Sequence, residues 1–153
     1  MPSPSDALTV RPGRPDDWEA VWRWRRDPVT RAMSRRTHEL APEVVRAELE
    51  AALAGAGKRL VIAEREGTPC GVIRFDRQED GRWEVSLNLA PEARGRGLAR
   101  PALEGAIGLA FPDGAPPLAA EIRPENDVSR RLFEALGFVR AGERDGRLLY
   151  ARG

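Results

Sequence analysis

The sequence predicts an α+β (mixed α/β) domain: one central, mostly antiparallel sheet flanked by about four helices, in the order β-α-α-β-β-β-α-β-α-β-β. Three observations support this. The 153 residues suit a single domain with its own core. Within Trp83–Leu89 the apolar Trp83, Val85, Leu87 and Leu89 alternate with Glu84, Ser86 and Asn88, the period of a half-buried strand. Elsewhere, apolar residues recur at helical spacing between proline and glycine signals.

Residues 1–6 read as a loose tail and 7–153 as one domain. Leu8–Arg11 is a short strand stopped by Pro12-Gly13. Asp16 and Asp17 cap a helix with Trp18, Val21 and Trp22 on one stripe, interrupted by Asp27-Pro28. A basic irregular stretch runs to Leu40. Pro42 opens a second helix, with Val45, Leu49 and Leu53 four residues apart and Gly55 and Gly57 at its end. Three strands follow, Arg59–Glu66, Gly71–Phe75 and Trp83–Leu89, with turns at Gly67-Thr68-Pro69 and Glu79-Asp80-Gly81. A third helix carries Leu98, Leu103, Ile107 and Leu109. Leu118–Ile122 is a strand, Asp127–Leu136 a helix, and Phe138–Ala141 and Arg147–Ala151 are strands.

Composition narrows the function. The 25 basic and 24 acidic residues leave a net charge of +1, against a nucleic-acid-binding role, so an anion site must be local. No apolar run approaches the ~20 residues of a membrane span. The first residues lack a basic n-region and an apolar h-region, so a cytoplasmic address is expected. The one cysteine, Cys70, forms no internal disulfide, leaves too few thiolates for a cysteine-based zinc site, and reads as a small buried apolar group. No metal is expected.

Between a strand and a helix lies Arg94-Gly95-Arg96-Gly97-Leu98-Ala99. A helix N-terminus presents unpaired N–H groups and partial positive charge, and glycines let an anion approach the backbone closely. A P-loop needs Gly-Lys-Ser/Thr, but the sole lysine is Lys58; a dinucleotide fingerprint needs a third glycine where Arg100 stands. Downstream, Asn126 to Phe138 reads as strand, helix, strand. Asn126 is the cap, Leu132, Phe133 and Leu136 are core, and Gly137 ends the helix.

Together these segments resemble the GNAT superfamily of acyl-CoA-dependent N-acyltransferases. Its Arg/Gln-x-x-Gly-x-Gly/Ala motif is matched by Arg94, Gly97 and Ala99. Its Asn-x-x-Ser/Ala-x-x-Leu-aromatic-x-x-x-Gly-Phe motif is matched by Asn126, Ser129, Leu132, Phe133, Gly137 and Phe138. The resemblance implies acetyl-CoA as co-substrate. Backbone amides of Arg94, Gly95, Arg96, Gly97, Leu98 and Ala99 would hold its pyrophosphate, and backbone groups of Leu87 and Leu89 would face pantetheine between splayed fourth and fifth strands. Asn126 would bond the pantetheine arm with Ser129 nearby, and Arg130 or Arg131 would meet the 3′-phosphate or simply be solvated. Glu84 and Asn88 share the strand face that should line the site and are the catalytic candidates, with Glu84 as base. Phe133 stands where many members carry an acidic tyrosine, so either Tyr150 or another donor serves, or the thiolate leaves unprotonated.

The acceptor is read from the first two helices. Trp22-Arg23-Trp24-Arg25-Arg26-Asp27-Pro28-Val29-Thr30-Arg31 resembles a segment of amino-sugar-nucleotide N-acetyltransferases of the pseudaminic acid pathway, with Arg26 in place of their asparagine. Trp24, Arg26, Arg31 and His38 are the candidate acceptor contacts. The arginines at 23, 25, 26, 31, 35 and 36 would suit a nucleotide diphosphate, or form a solvated basic face. Transfer to a primary amine of a small molecule is expected. A ribosomal-protein N-terminal acetyltransferase and a non-catalytic CoA-binding interaction module are the alternatives. No nucleic-acid or membrane partner is expected, and a homodimer is admissible.

Overall fold

The computed structural model describes residues 8–33 and 40–153. Its strands are β1 (Leu8–Pro12), β2 (Lys58–Arg65), β3 (Thr68–Arg77), β4 (Trp83–Leu89), β5 (Leu118–Ile122), β6 (Val139–Arg144) and β7 (Arg147–Arg152). Its helices are α1 (Trp18–Arg25), α2 (Pro28–Met33), α3 (Pro42–Ala54), α4 (Ala99–Ala110) and α5 (Asp127–Ala135). The seven strands form one sheet, ordered β1-β2-β3-β4-β5-β7-β6. Every neighbouring pair is antiparallel except β4 and β5. This is the mixed α/β architecture expected, with five helices rather than about four.

β2 and β3 each bury four consecutive residues at their middle, as central strands covered on both faces must. α4 packs across β1 to β4, while α1 and α3 pack on each other, α3 against β2 and α1 against β3. A Cβ on Gly105 would come within 3.3 Å of Val10, so the glycine lets α4 lie close to β1. Phe75, Ile62, Ile73, Leu98, Leu103, Leu118 and Phe138 are the largest fully buried side chains.

Several expectations are corrected. Pro28 does not merely interrupt the first helix: it starts α2, because the Asp27 carboxylate accepts the Thr30 N–H at 3.1 Å and caps a new turn. Asp17 does not cap α1 through its side chain, being occupied by Arg11 and by the Arg14 N–H at 2.7 Å. Trp24 is core, at 2% exposure, and so is not placed to meet an acceptor; Trp18 and Trp22 are only partly buried. Leu53 and Leu109 are exposed, and Ala52 and Ala106 take the buried positions instead. The turn into β3 is Glu66-Gly67, both at positive φ, so Thr68 and Pro69 already belong to the strand. The expected tail, together with Arg35, Arg36 and His38, lies outside the described residues.

Candidate active site

β4 and β5 run parallel and pair only at Trp83–Leu118 and Glu84–Ala119. Beyond these two positions the strands part. The Trp83 N–H donates to the Pro117 carbonyl at 3.0 Å, and the Ala90 N–H donates on the other side to Cys70 at 2.8 Å. Since backbone groups along a strand alternate sides, Val85, Leu87 and Leu89 turn their N–H and C=O towards the opening. Leu87 and Leu89 thus turn backbone groups towards the opening. The opening is a row of backbone donors and acceptors, which suits an amide-bearing arm lying as a short extra strand.

At one end of β4, a 3-10 turn at Pro91–Ala93 leads into Arg94–Leu98 and then α4. Gly95 and Gly97 both sit at φ 71°, where a side chain would be strained, and a Cβ on either would meet only open space. Leu98, 1% exposed, anchors the loop in the core. Leu98 also occupies the N-cap position of α4 and has no side chain able to accept a hydrogen bond. The first amides of a twelve-residue helix are thus uncapped next to an exposed glycine turn, which fits an anionic group such as a pyrophosphate. The Arg96 guanidinium turns back to the Glu92 carbonyl at 3.0 Å.

Glu84 and Asn88, both half-buried, flank the exposed Ser86 on one face of β4. The Glu84–Ala119 register puts Glu121 of β5 on the same face. The Glu121 side chain is 9% exposed and paired with Arg144 of β6. Arg144 is pushed above its usual pKa by Glu121, chiefly through their hydrogen bond, with a smaller contribution from Glu84. Two carboxylates therefore lie near the opening; Glu121 was not apparent from the sequence, because only strand register brings it beside Glu84.

Asn126 caps α5, its Oδ1 accepting the Ser129 N–H at 3.2 Å, which leaves its amide NH2 as a donor. Arg130 is paired with Asp127, and Arg131 is exposed. Phe133 is buried edge-on against Phe138, ring centroids 5.0 Å apart. Tyr150, 2% exposed, donates its hydroxyl to Glu134 at 2.9 Å. Burial first, and then that carboxylate, raise its pKa. A phenol so placed is a packing group with a satisfied proton, not a ready acid. Cys70 is buried as expected, and burial pushes its thiol up.

The arginines at 23, 25, 26 and 31 do not form one patch. At 100° per residue they fan around α1 and into α2. Arg25 pairs with Glu48 at 2.7 Å. Arg23 lines a cleft of about 430 Å³ with Arg11, Arg14, Asp16, Asp17 and Glu19, which contains none of the residues at the strand opening. Arg26 stacks over Trp22 at 4.7 Å. Arg31 lies half-buried on α2.

The Arg94 side chain turns to the α1–α2 corner. It pairs with Asp27 at 2.9 Å and donates to the Thr30 hydroxyl. That hydroxyl lies 3.5 Å from Asn88 Oδ1. Burial alone would raise the Asp27 carboxyl, but the Thr30 amide and Arg94 outweigh it and hold it below its usual range.

Residues 7–139 match the family model of the acetyltransferase (GNAT) domain, and the chain belongs to that family. It is an acetyltransferase of that family. Among solved structures, it is similar to a putative phosphinothricin N-acetyltransferase at 27% identity and TM-score 0.78, covering 95% of this chain and 97% of that one. It is also similar to yncA, a putative acetyltransferase from Salmonella typhimurium solved with its cofactor acetyl-CoA, at 22% identity, TM-score 0.75 and coverage of 95% and 91%. A third is the aminoglycoside acetyltransferase AAC(6')-Ib in complex with coenzyme A, at 19% identity, TM-score 0.78 and coverage of 94% and 92%. A search among curated protein sequences finds no match. Among the described residues there is no cluster of metal-ligating side chains, and no helix is long and apolar enough to cross a membrane.

Proposed function

We propose that this acetyltransferase moves an acetyl group from acetyl-CoA to the primary amine of a small molecule, such as an amino sugar nucleotide. The observation that carries the reading is the parting of β4 and β5 after two residue pairs, beside an uncapped helix N-terminus. Amides of residues 94–99 hold the pyrophosphate. Asn126 and the backbone edges of Leu87 and Leu89 hold the pantetheine arm, and Ser129 lies beside it. A backbone N–H at the opening receives the negative charge that develops on the thioester oxygen. Glu84 takes the ammonium proton, directly or through water, and Asn88 orients the amine. The amine nitrogen then bonds to the acetyl carbon, the carbon–sulfur bond breaks, and the surplus nitrogen proton passes to water. Phe133 offers no proton and the Tyr150 hydroxyl is held by Glu134, so the sulfur leaves as thiolate, as a thiol pKa of ~8.5 permits. Arg26 and Arg31 of the α1–α2 corner meet the acceptor, and His38 is assigned to it from the sequence alone. The address is cytoplasmic, where acetyl-CoA is made and used.

The test is free thiol release from acetyl-CoA in the presence of separate amines: amino sugar nucleotides, polyamines, aminoglycosides and peptides with free N-termini. Release with amino sugar nucleotides above the others supports the reading. A preference for peptides would identify an N-terminal acetyltransferase, and no release with any amine would leave a CoA-binding module.

A further inference from the structure

Arg94 opens the loop assigned above to the pyrophosphate, yet its guanidinium is spent on the other side of β4. It reaches Asp27, which stands between α1 and α2, and Thr30 within α2. Asp27 is doubly engaged, accepting the Thr30 N–H at 3.1 Å while pairing with Arg94 at 2.9 Å. The Thr30 hydroxyl extends the chain to Asn88 at 3.5 Å. These four residues come from the α1–α2 corner, β4 and the glycine loop. The ion pair is partly shielded, with side-chain exposures of 32% for Arg94 and 20% for Asp27. A shielded pair linking separate segments limits their independent motion more than an exposed pair does.

We propose that Asp27 and Thr30 are positioning residues: through Arg94 they clasp the acyl-CoA loop to the α1–α2 corner, so that filling the loop also orders the acceptor side. The inference rests on the reading that residues 94–99 hold the pyrophosphate. In the empty enzyme the clasp keeps the loop close to its binding shape, which lowers the ordering cost of binding. By reciprocity, acetyl-CoA in the loop steadies α2.

Asp27→Asn separates this role from simple capping. Asparagine caps a helix about as well as aspartate, so the Thr30 N–H keeps its acceptor while Arg94 loses its counter-charge. Acetyl-CoA is titrated by calorimetry into the wild type, Asp27→Asn, Arg94→Gln and the double variant. Hydrogen exchange over residues 28–33 is followed with and without acetyl-CoA, and thermal stability is measured in parallel. The expected result is weakening on the order of fivefold in each single variant, no further weakening in the double variant, and loss of the acetyl-CoA-induced protection of residues 28–33. Additive effects, tighter binding in Asp27→Asn, or an Asp27→Asn variant matching the wild type in both affinity and protection would overturn the clasp. Should Asp27→Asn fail to fold, Thr30→Val, which removes only the bridging hydroxyl, carries the same two readouts. Gly97→Val serves as control. If it leaves affinity unchanged, the pyrophosphate assignment itself fails; if it weakens binding while Asp27→Asn does not, only the clasp fails.

Discussion

The role proposed for Glu84 follows from its place rather than from an unusual side chain. It stands at the last residue pair joining β4 to β5, half-buried, on the face that also carries Asn88. A carboxylate there accepts a proton from an amine entering along that face. Glu84→Gln keeps the shape and removes the basicity. Turnover at saturating acetyl-CoA is expected to fall ~10²–10⁴-fold, with acetyl-CoA affinity retained. A pH–rate profile checks this: if turnover stays near normal across the pH range, the amine reaches the site already neutral or another base acts. At this scale the sequence was informative about residues whose role follows from a local pattern, such as Asn126 capping α5 or the alternating face of β4. It was silent on Glu121, and on what the Arg94 side chain would touch. Both depend on residues far apart in the chain, which no local period encodes. Trp24 misled for the opposite reason: a tryptophan flanked by arginines has a polar setting in the sequence, yet the turn of α1 carries it into the core at 2% exposure.

Among the elements, the loop and first turn of α4 have the most specific geometry. Gly97 is at φ 71°, and a Cβ there would have nothing within 4 Å, so valine would fit sterically but force a β-branched residue into left-handed backbone. Either the loop changes conformation or its amides are screened from the anion. Gly97→Val should weaken acetyl-CoA by tenfold or more, about 1.4 kcal/mol, measured by calorimetry on a variant that retains its thermal transition. Element bounds were legible where turn chemistry and period agree: β4 and β5 fall at Trp83–Leu89 and Leu118–Ile122, as expected. α2 was missed because Pro28 has two meanings. After a helix it reads as a breaker; after an aspartate whose carboxylate can reach forward to Thr30, it is a first helical residue. The pattern Asp27-Pro28-x-Thr30 held that second meaning.

On the scale of the molecule, one ion cluster ties the start of the chain to the sheet. Arg11 of β1 bonds Asp17 through two nitrogens, at 2.8 and 2.9 Å, and Glu64 of β2 at 3.0 Å, beside the irregularity between Ala63 and Glu64. Burial alone would raise the Asp17 carboxyl, but the bonds from Arg11 and the Arg14 amide outweigh it and hold it below its usual value of 3.8. A carboxyl depressed in the folded state adds stability that is complete above pH 3.8 and is lost as pH falls through its lower folded value. The melting temperature, followed from about pH 7 to about pH 2.5, should therefore hold through the neutral range and fall in acid. Asp17→Asn should lower stability near neutrality by about 2 kcal/mol, less than the ~3–5 of a fully broken buried pair because Glu64 still partners Arg11. It should also flatten the acid decline. An unchanged acid slope would place the linkage on other carboxyls.

The narrow junction between β4 and β5 has a mechanical meaning. Four strands on one side of it and three on the other are each held by continuous antiparallel ladders, while two residue pairs join them. The backbone ladder is thus thinnest at this seam, while one hydrophobic core runs beneath both parts. A ligand lying in the seam would touch both edges, and its binding energy would oppose their separation. Held there as proposed, acetyl-CoA would serve the enzyme twice: as acetyl donor, and, until the CoA product leaves, as a brace across the weakest join of the sheet.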